Sequence, residues 1–208
     1  MRASLAAAVR PGRSPGVRHP ASMALCAACI LIFARPGFAQ TLQRDTILAR
    51  GTFTLQSFAS YAAGLEQRNE DLSGVMAGGG YFVRDNLSLN LELSVARAVQ
   101  TGGDAWMGGL AGTVRHHLLL LDGGRRGSIF ADAGFGPVWA DDRVPHDGTN
   151  LNFITRVGLG GTIALCDDLH WMLGVRYFHL SNARIDGVER NPGINGVECY
   201  TGLMWLIR

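Results

Sequence analysis

The stretch NLSLNLELSVA, residues 86–96, limits what this chain can fold into more than any other. Leu87, Leu89, Leu91, Leu93 and Val95 alternate without a break with Asn86, Ser88, Asn90, Glu92 and Ser94. A period of two over this length puts five apolar side chains on one face of an extended strand and five polar ones on the other. A helix would smear both sets around its circumference.

The same alternation recurs along the chain and predicts eight strands, at about 51–63, 73–84, 86–98, 104–119, 127–140, 151–166, 169–182 and 196–207. In the fifth, Ile129, Ala131, Ala133, Phe135 and Trp139 oppose Asp132, Gly134 and Gly136. In the sixth, Leu151, Phe153, Val157, Leu159, Ile163 and Leu165 oppose Asn152, Arg156, Gly158, Gly160 and Thr162. A small soluble barrel fills its interior with apolar groups; here the apolar face is broad and the other carries charge and glycine. Connections alternate in length. Short ones fall at 84–86, 122–126 and 166–169, and longer polar ones at 64–72, 100–104, 141–150 and 182–195. Short turns on one rim and long loops on the other describe an all-β, eight-stranded antiparallel transmembrane barrel of the outer-membrane type. Eight strands leave no water channel, because side chains fill so narrow a lumen.

The first 39 residues fit export to such a membrane. They carry five arginines, no acid, the 12-residue apolar run MALCAACILIFA, and Gly37 and Ala39 before a cleavage point. This is the pattern of a secretory signal peptide, and the apolar run is too short for a helical span of about 20 residues. Residues 40–208 are then expected to form a single barrel domain. Losing the five leader arginines turns the formal charge of +2 into −3, which gives no reason to expect a nucleic-acid partner. Two cysteines remain beyond the leader, Cys166 and Cys199, expected at opposite ends of their strands and therefore unpaired. His116 and His117 are read as rim residues, and His146 among Asp141, Asp142 and Asp147 as part of a solvated loop.

Within YFHLSNA, residues 177–183, the seventh strand places Trp171, Leu173, Val175, Tyr177, His179 and Ser181 on its apolar face, with Arg176 marking the lumen. A histidine and a hydroxyl aimed at lipid are costly unless they pair or serve a substrate that resides there. Same-face residues two apart on a strand are separated by about 6.6 Å, a gap that leaning side chains can close. His179 can then take the proton of Ser181 as it attacks an ester. A third group should hold the imidazole. The acidic candidates are Asp186, Glu189 and Glu198, with Glu198 preferred because it starts a strand beside the end of the seventh. Strand parity turns Glu198 inward, so this choice requires a bulge near Gly202. The adjacent Asn182 offers an amide for an oxyanion.

HLSNA at 179–183, NPGIN at 191–195 and GVECY at 196–200, with SIFADAGFG and LNFITRVGLG before them, resemble the lipid A 3-O-deacylase family, outer-membrane serine hydrolases of the PagL type. The resemblance runs from the fifth strand to the end. It implies Ser181 as nucleophile, His179 as base, Glu198 as the acid and Asn182 in the oxyanion hole. It also implies hydrolysis of the acyl ester at the 3 position of lipid A, with no metal and no cofactor. The implied partner is lipid A, or lipopolysaccharide, in the outer leaflet of a Gram-negative outer membrane. Arg184, standing where a glycine is common, and Arg190 are candidate contacts for the lipid A phosphates. A homodimer is left open, as are two other functions: a non-catalytic structural or adhesive barrel, and an esterase for another envelope lipid.

Overall fold

The computed structural model describes residues 46–65, 70–185, 187 and 190–208; the expected signal peptide lies outside the described residues. Eight strands follow one another: β1 (Phe53–Gly64), β2 (Asp71–Arg84), β3 (Leu87–Val99), β4 (Ala105–Leu121), β5 (Gly127–Val144), β6 (Thr149–Ala164), β7 (Leu169–Ser181) and β8 (Ile194–Ile207). Each pairs antiparallel with the next, and β8 returns to β1 to close the barrel. Closure satisfies the backbone hydrogen bonds between strands and leaves no open edge, the condition that hydrocarbon imposes.

The parity expected from the sequence decides which way each side chain points. On β3, Leu89, Leu91 and Leu93 are 50–62% exposed while Ser88, Asn90 and Glu92 are buried. On β7, Trp171, Leu173, Val175 and Tyr177 are exposed, whereas His170, Met172, Arg176, Phe178 and Leu180 are buried. The exposed leucines and aromatics form an outer wall suited to acyl chains, and the inside combines polar and charged groups with apolar clusters such as Phe178, Leu180 and Ile194.

The lumen is filled and neutralised by its own charges. Arg176 on β7 grips Glu92 on β3 with both terminal nitrogens, at 3.2 and 3.3 Å, and Asp132 on β5 at 2.8 and 3.1 Å. Arg115 on β4 donates to the same Asp132 at 3.2 Å and to Gln56 on β1 at 2.6 Å. Arg156 on β6 meets Glu198 on β8 at 3.0 Å. Arg176 lies over the Tyr200 ring at 4.4 Å, and Arg115 over Phe130 at 4.5 Å. Multidentate geometry and opposite charges allow this burial, since a lone ion here would be costly.

The short-turn rim carries an apolar stopper. Ile47 and Leu48 are buried against Phe82, Met204 and Leu206, and the Leu48 carbonyl accepts from Asn86 N at 2.8 Å. His117 differs from its expected place at a rim. Its parity follows Arg115 inward, so it is buried with Nδ1 at 2.7 Å from Ser128 Oγ. The connection expected at 141–150 is also shorter. β5 continues to Val144, where Val144 pairs with Thr149 after a register shift beyond Trp139. Asp141 stays in the strand, and its carboxylate accepts from the Trp106 backbone N–H at 2.8 Å.

The expected bulge at Gly202 is absent. Gly202 pairs in unbroken register with Phe58 on β1 and Met172 on β7. It is glycine because the strands crowd there: a Cβ would lie 2.0 Å from the Ser57 carbonyl oxygen. With parity unshifted, Glu198 faces the lumen. Replacing Arg176 by Met removes one of the two guanidiniums that Glu92 and Asp132 share and leaves only Arg115 between them; the expected loss is about 3–5 kcal/mol of stability. It is read as a lowered midpoint of urea unfolding in lipid vesicles, and an unchanged midpoint contradicts the assignment.

Candidate active site

β7 ends at Ser181, on the rim that bears the β1–β2 and β7–β8 connections. Tyr177, His179 and Ser181 are spaced two apart and share its outer face. Register sets their neighbours. On β6, Thr155 stands opposite His179 and Phe153 opposite Ser181. On β8, Asn195 stands opposite His179.

His179 Nε2 lies 3.0 Å from Ser181 Oγ, and His179 Nδ1 lies 2.8 Å from Asn195 Oδ1. The Tyr177 hydroxyl donates to that same Asn195 oxygen at 2.7 Å. The result is a continuous chain on the outer wall: Ser181, His179, Asn195, Tyr177. An amide oxygen carries no hydrogen, so the Nδ1 contact places the ring proton on Nδ1 and leaves Nε2 bare, facing the serine hydroxyl. This is the protonation pattern a base for Ser181 requires. Gly193 closes the site from the loop side. Its φ is +67°, and a Cβ there would sit 3.4 Å from His179 Cε1.

Two expected site residues occupy other positions. Glu198 is only 4% exposed, inside the barrel, and its carboxylate partners Arg156 and Arg176. The histidine is on the opposite side of the wall, so the geometry does not make Glu198 the group that orients it; the cause is the continuous register through Gly202. Asn182 is 2% exposed. Its Nδ2 donates to the Arg190 carbonyl at 2.8 Å, its Oδ1 accepts from Arg184 N at 2.8 Å, and its backbone N–H donates to Asn191 Oδ1 at 2.9 Å. Asn182 therefore knots the β7–β8 loop from beneath instead of presenting its amide to a substrate. Ala183 and Arg184 beside it take left-handed φ values of 52° and 66°, a conformation uncommon outside glycine, which the Asn182 hydrogen bonds support. Arg184 and Arg190 are exposed in this loop. Asp186 and Glu189, the other acidic candidates, lie outside the described residues.

Asn195 and Tyr177 carry no acidic signal in the sequence, and Asn195 lies one residue before the expected start of the eighth strand at 196 although β8 begins at Ile194. Extending the β7–β8 pairing by one residue pair puts Asn195 beside His179. Around the pair, the outer wall is apolar and aromatic. Phe153 stacks on Phe135 with centroids 5.6 Å apart and an interplanar angle of 2°.

A closed barrel with a lumen full of paired charge and an apolar outside, carrying a serine–histidine pair on that outside, defines an outer-membrane β-barrel with a surface site of hydrolase type. Residues 74–203 match the family described as Lipid A 3-O-deacylase (PagL), and the chain belongs to that family. Among solved structures, Neisserial surface protein A is similar with a TM-score of 0.55 and 14% identity, over 75% of this chain and 99% of that one. The outer membrane protein OprG from Pseudomonas aeruginosa gives a TM-score of 0.52 and 11% identity, over 77% and 97%. The outer membrane enzyme PagL gives a TM-score of 0.48 and 22% identity, over 74% and 99%. The first two share the fold. No curated protein matches the chain.

If Glu198 serves the lumen and not the histidine, Glu198→Gln lowers the unfolding midpoint but leaves the rate of ester hydrolysis per folded barrel unchanged. Gel mobility of the heat-resistant folded form, measured beside the rate, separates the two effects. A folded but inactive variant would restore Glu198 to the site.

Proposed function

We propose that this barrel is an outer-membrane esterase that removes the acyl chain linked to the 3 position of lipid A, with Ser181 as nucleophile and His179 as general base. The observation that carries this reading is the 3.0 Å contact between His179 Nε2 and Ser181 Oγ on a lipid-facing wall. Membership of the family supports the substrate.

The chemistry follows from the tautomer. As Ser181 Oγ bonds to the ester carbonyl carbon, its proton moves to His179 Nε2. Collapse of the tetrahedral species breaks the bond to the sugar oxygen, which takes the proton from His179. A water then gives its proton to Nε2 and attacks the acyl-serine; as the bond to Oγ breaks, Nε2 returns that proton to Oγ, releasing a 3-hydroxy fatty acid and free Ser181. The negative charge of the tetrahedral oxygen develops beside the turn that follows Ser181, which Asn182 holds in shape from below.

The position of the pair suits a substrate that is already in the membrane. Lipid A diffusing in the outer leaflet brings its esters to the outer wall, so neither pore nor deep pocket is required. Phe153, beside Ser181, and Phe135, stacked on it, offer an apolar surface to the acyl chains. Arg184 and Arg190 in the exposed loop suit the phosphates of the sugar head. Residues 1–39 are read as the signal that directs export, leaving residues 40–208 as the barrel.

Mass spectrometry of lipid A from a Gram-negative host expressing the protein should show loss of one 3-hydroxyacyl mass, absent with Ser181→Ala or His179→Asn although both variants insert. Acyl loss that persists with Ser181→Ala removes the proposed mechanism. Intact lipid A with loss of phospholipid acyl chains points to another envelope ester, and intact lipids of every class to a non-catalytic barrel.

A further inference from the structure

Building on the esterase reading above, we infer that Asn195 and Tyr177 are the positioning residues of the site: a neutral amide oxygen, shared by the tyrosine hydroxyl and the imidazole, fixes the tautomer of His179.

An asparagine beside a histidine is ambiguous in principle, because its side chain has an accepting end and a donating end. With the oxygen toward Nδ1, the ring keeps its proton there and Nε2 stays bare for Ser181. With the amide turned over, an N–H would face Nδ1, the ring proton would move to Nε2, and the base would be lost. A wrong tautomer of this kind costs a serine hydrolase about 10⁴-fold.

Two donors converge on the same oxygen here, His179 Nδ1–H at 2.8 Å and the Tyr177 hydroxyl at 2.7 Å. Turning the amide would take the acceptor from Nδ1–H and force the phenol to accept in place of donating, its weaker role, so Tyr177 acts on the histidine through Asn195 without touching it. The backbone adds to this. Asn195 is in strand register with His179, and its carbonyl accepts from Leu65 N at 2.8 Å, which ties the start of β8 to the segment after β1.

Neutrality has a physical reason at this place. A carboxylate on a half-buried, lipid-facing wall would lose hydration with few donors to replace it, whereas an amide offers the same accepting oxygen without charge. The groups facing the imidazole are Thr155 from β6, Asn195 from β8, Tyr177 and Ser181 from its own strand, and Gly193 from the loop. Asp186 and Glu189 lie outside the described residues. A carboxylate at position 195 would favour the protonated ring and so make the base weaker at low pH but better held.

The test is release of 3-hydroxy fatty acid by the purified barrel in lipopolysaccharide-containing vesicles, with folding checked by heat-modifiable gel mobility. Asn195→Ala is expected to lower kcat by about 100-fold or more, with KM little changed. Tyr177→Phe is expected to lower kcat by about tenfold, a partial loss of the same tautomer. Asn195→Asp keeps activity and moves the acid limb of the kcat/KM profile to higher pH. In that background Tyr177→Phe should cost nothing, since both carboxylate oxygens accept and orientation no longer matters. A Tyr177→Phe loss of equal size in both backgrounds overturns the inference, as does a folded Asn195→Ala barrel with wild-type kcat. Ser181→Ala, run alongside, separates the levels: activity lost there leaves the esterase reading in place whatever Asn195 does, and activity kept there removes that reading itself.

Discussion

Everything in this molecule depends on where its arginines go. Arg115, Arg156 and Arg176 lie on β4, β6 and β7, and each finds a carboxylate on another strand: Glu92 on β3, Asp132 on β5 or Glu198 on β8. Arg176 reaches across the lumen to hold β3 and β5 at once. Such pairs have a single satisfactory register, because moving one strand by one residue would turn its charge toward hydrocarbon and leave its partner unpaired inside. The lumen network is thus both the filling of the barrel and the constraint that fixes which residues face out.

The outer wall inherits that choice. Once Arg176 must point inward, Tyr177 and His179 must point outward, and Ser181 with them. Polar side chains on that face have to satisfy one another. The chain from Ser181 through His179 and Asn195 to Tyr177 does so using side chains alone. The same pressure that would penalise an isolated histidine in lipid assembles a hydrogen-bonded relay, and such a relay is what nucleophilic catalysis needs. Stability and proposed chemistry share one geometric cause.

Strand parity made most of this legible from sequence. The alternation in 86–96, in 151–165 and in 169–181 decides barrel type, lumen and lipid face before any coordinate is known, because in a barrel the backbone leaves only two directions for a side chain. The outward direction of His179 and Ser181 was legible for the same reason. At Glu198 chemical expectation and parity conflict: an acid beside the histidine requires a bulge at Gly202, and the pairing runs through Gly202 without one. The glycine is instead required by the close approach of β1. Asn182 was misread because adjacency to Ser181 says nothing about depth, and its neighbour's outward direction implies its own inward one. His117 repeats the lesson, since its parity with Arg115 already placed it inside. What sequence could not reveal was the pairing of Asn195 with His179, which depends on how far the β7–β8 ladder continues before the loop begins.

That ladder also explains why the site is at the end of β7 and not in its middle. Deeper in the wall, Val175 and Leu173 face acyl chains, and a nucleophile there would meet only hydrocarbon. At Ser181 the strand gives way to a loop carrying Arg184 and Arg190, at the level where an amphiphile changes from chain to polar head. The ester of an acylated sugar lies at that boundary. Two residues at the end of β7 set His179 and Ser181 side by side, and one register-matched residue on the adjacent strand, Asn195, meets His179. A barrel can build such a site from its closing hairpin without altering the lumen that keeps it folded.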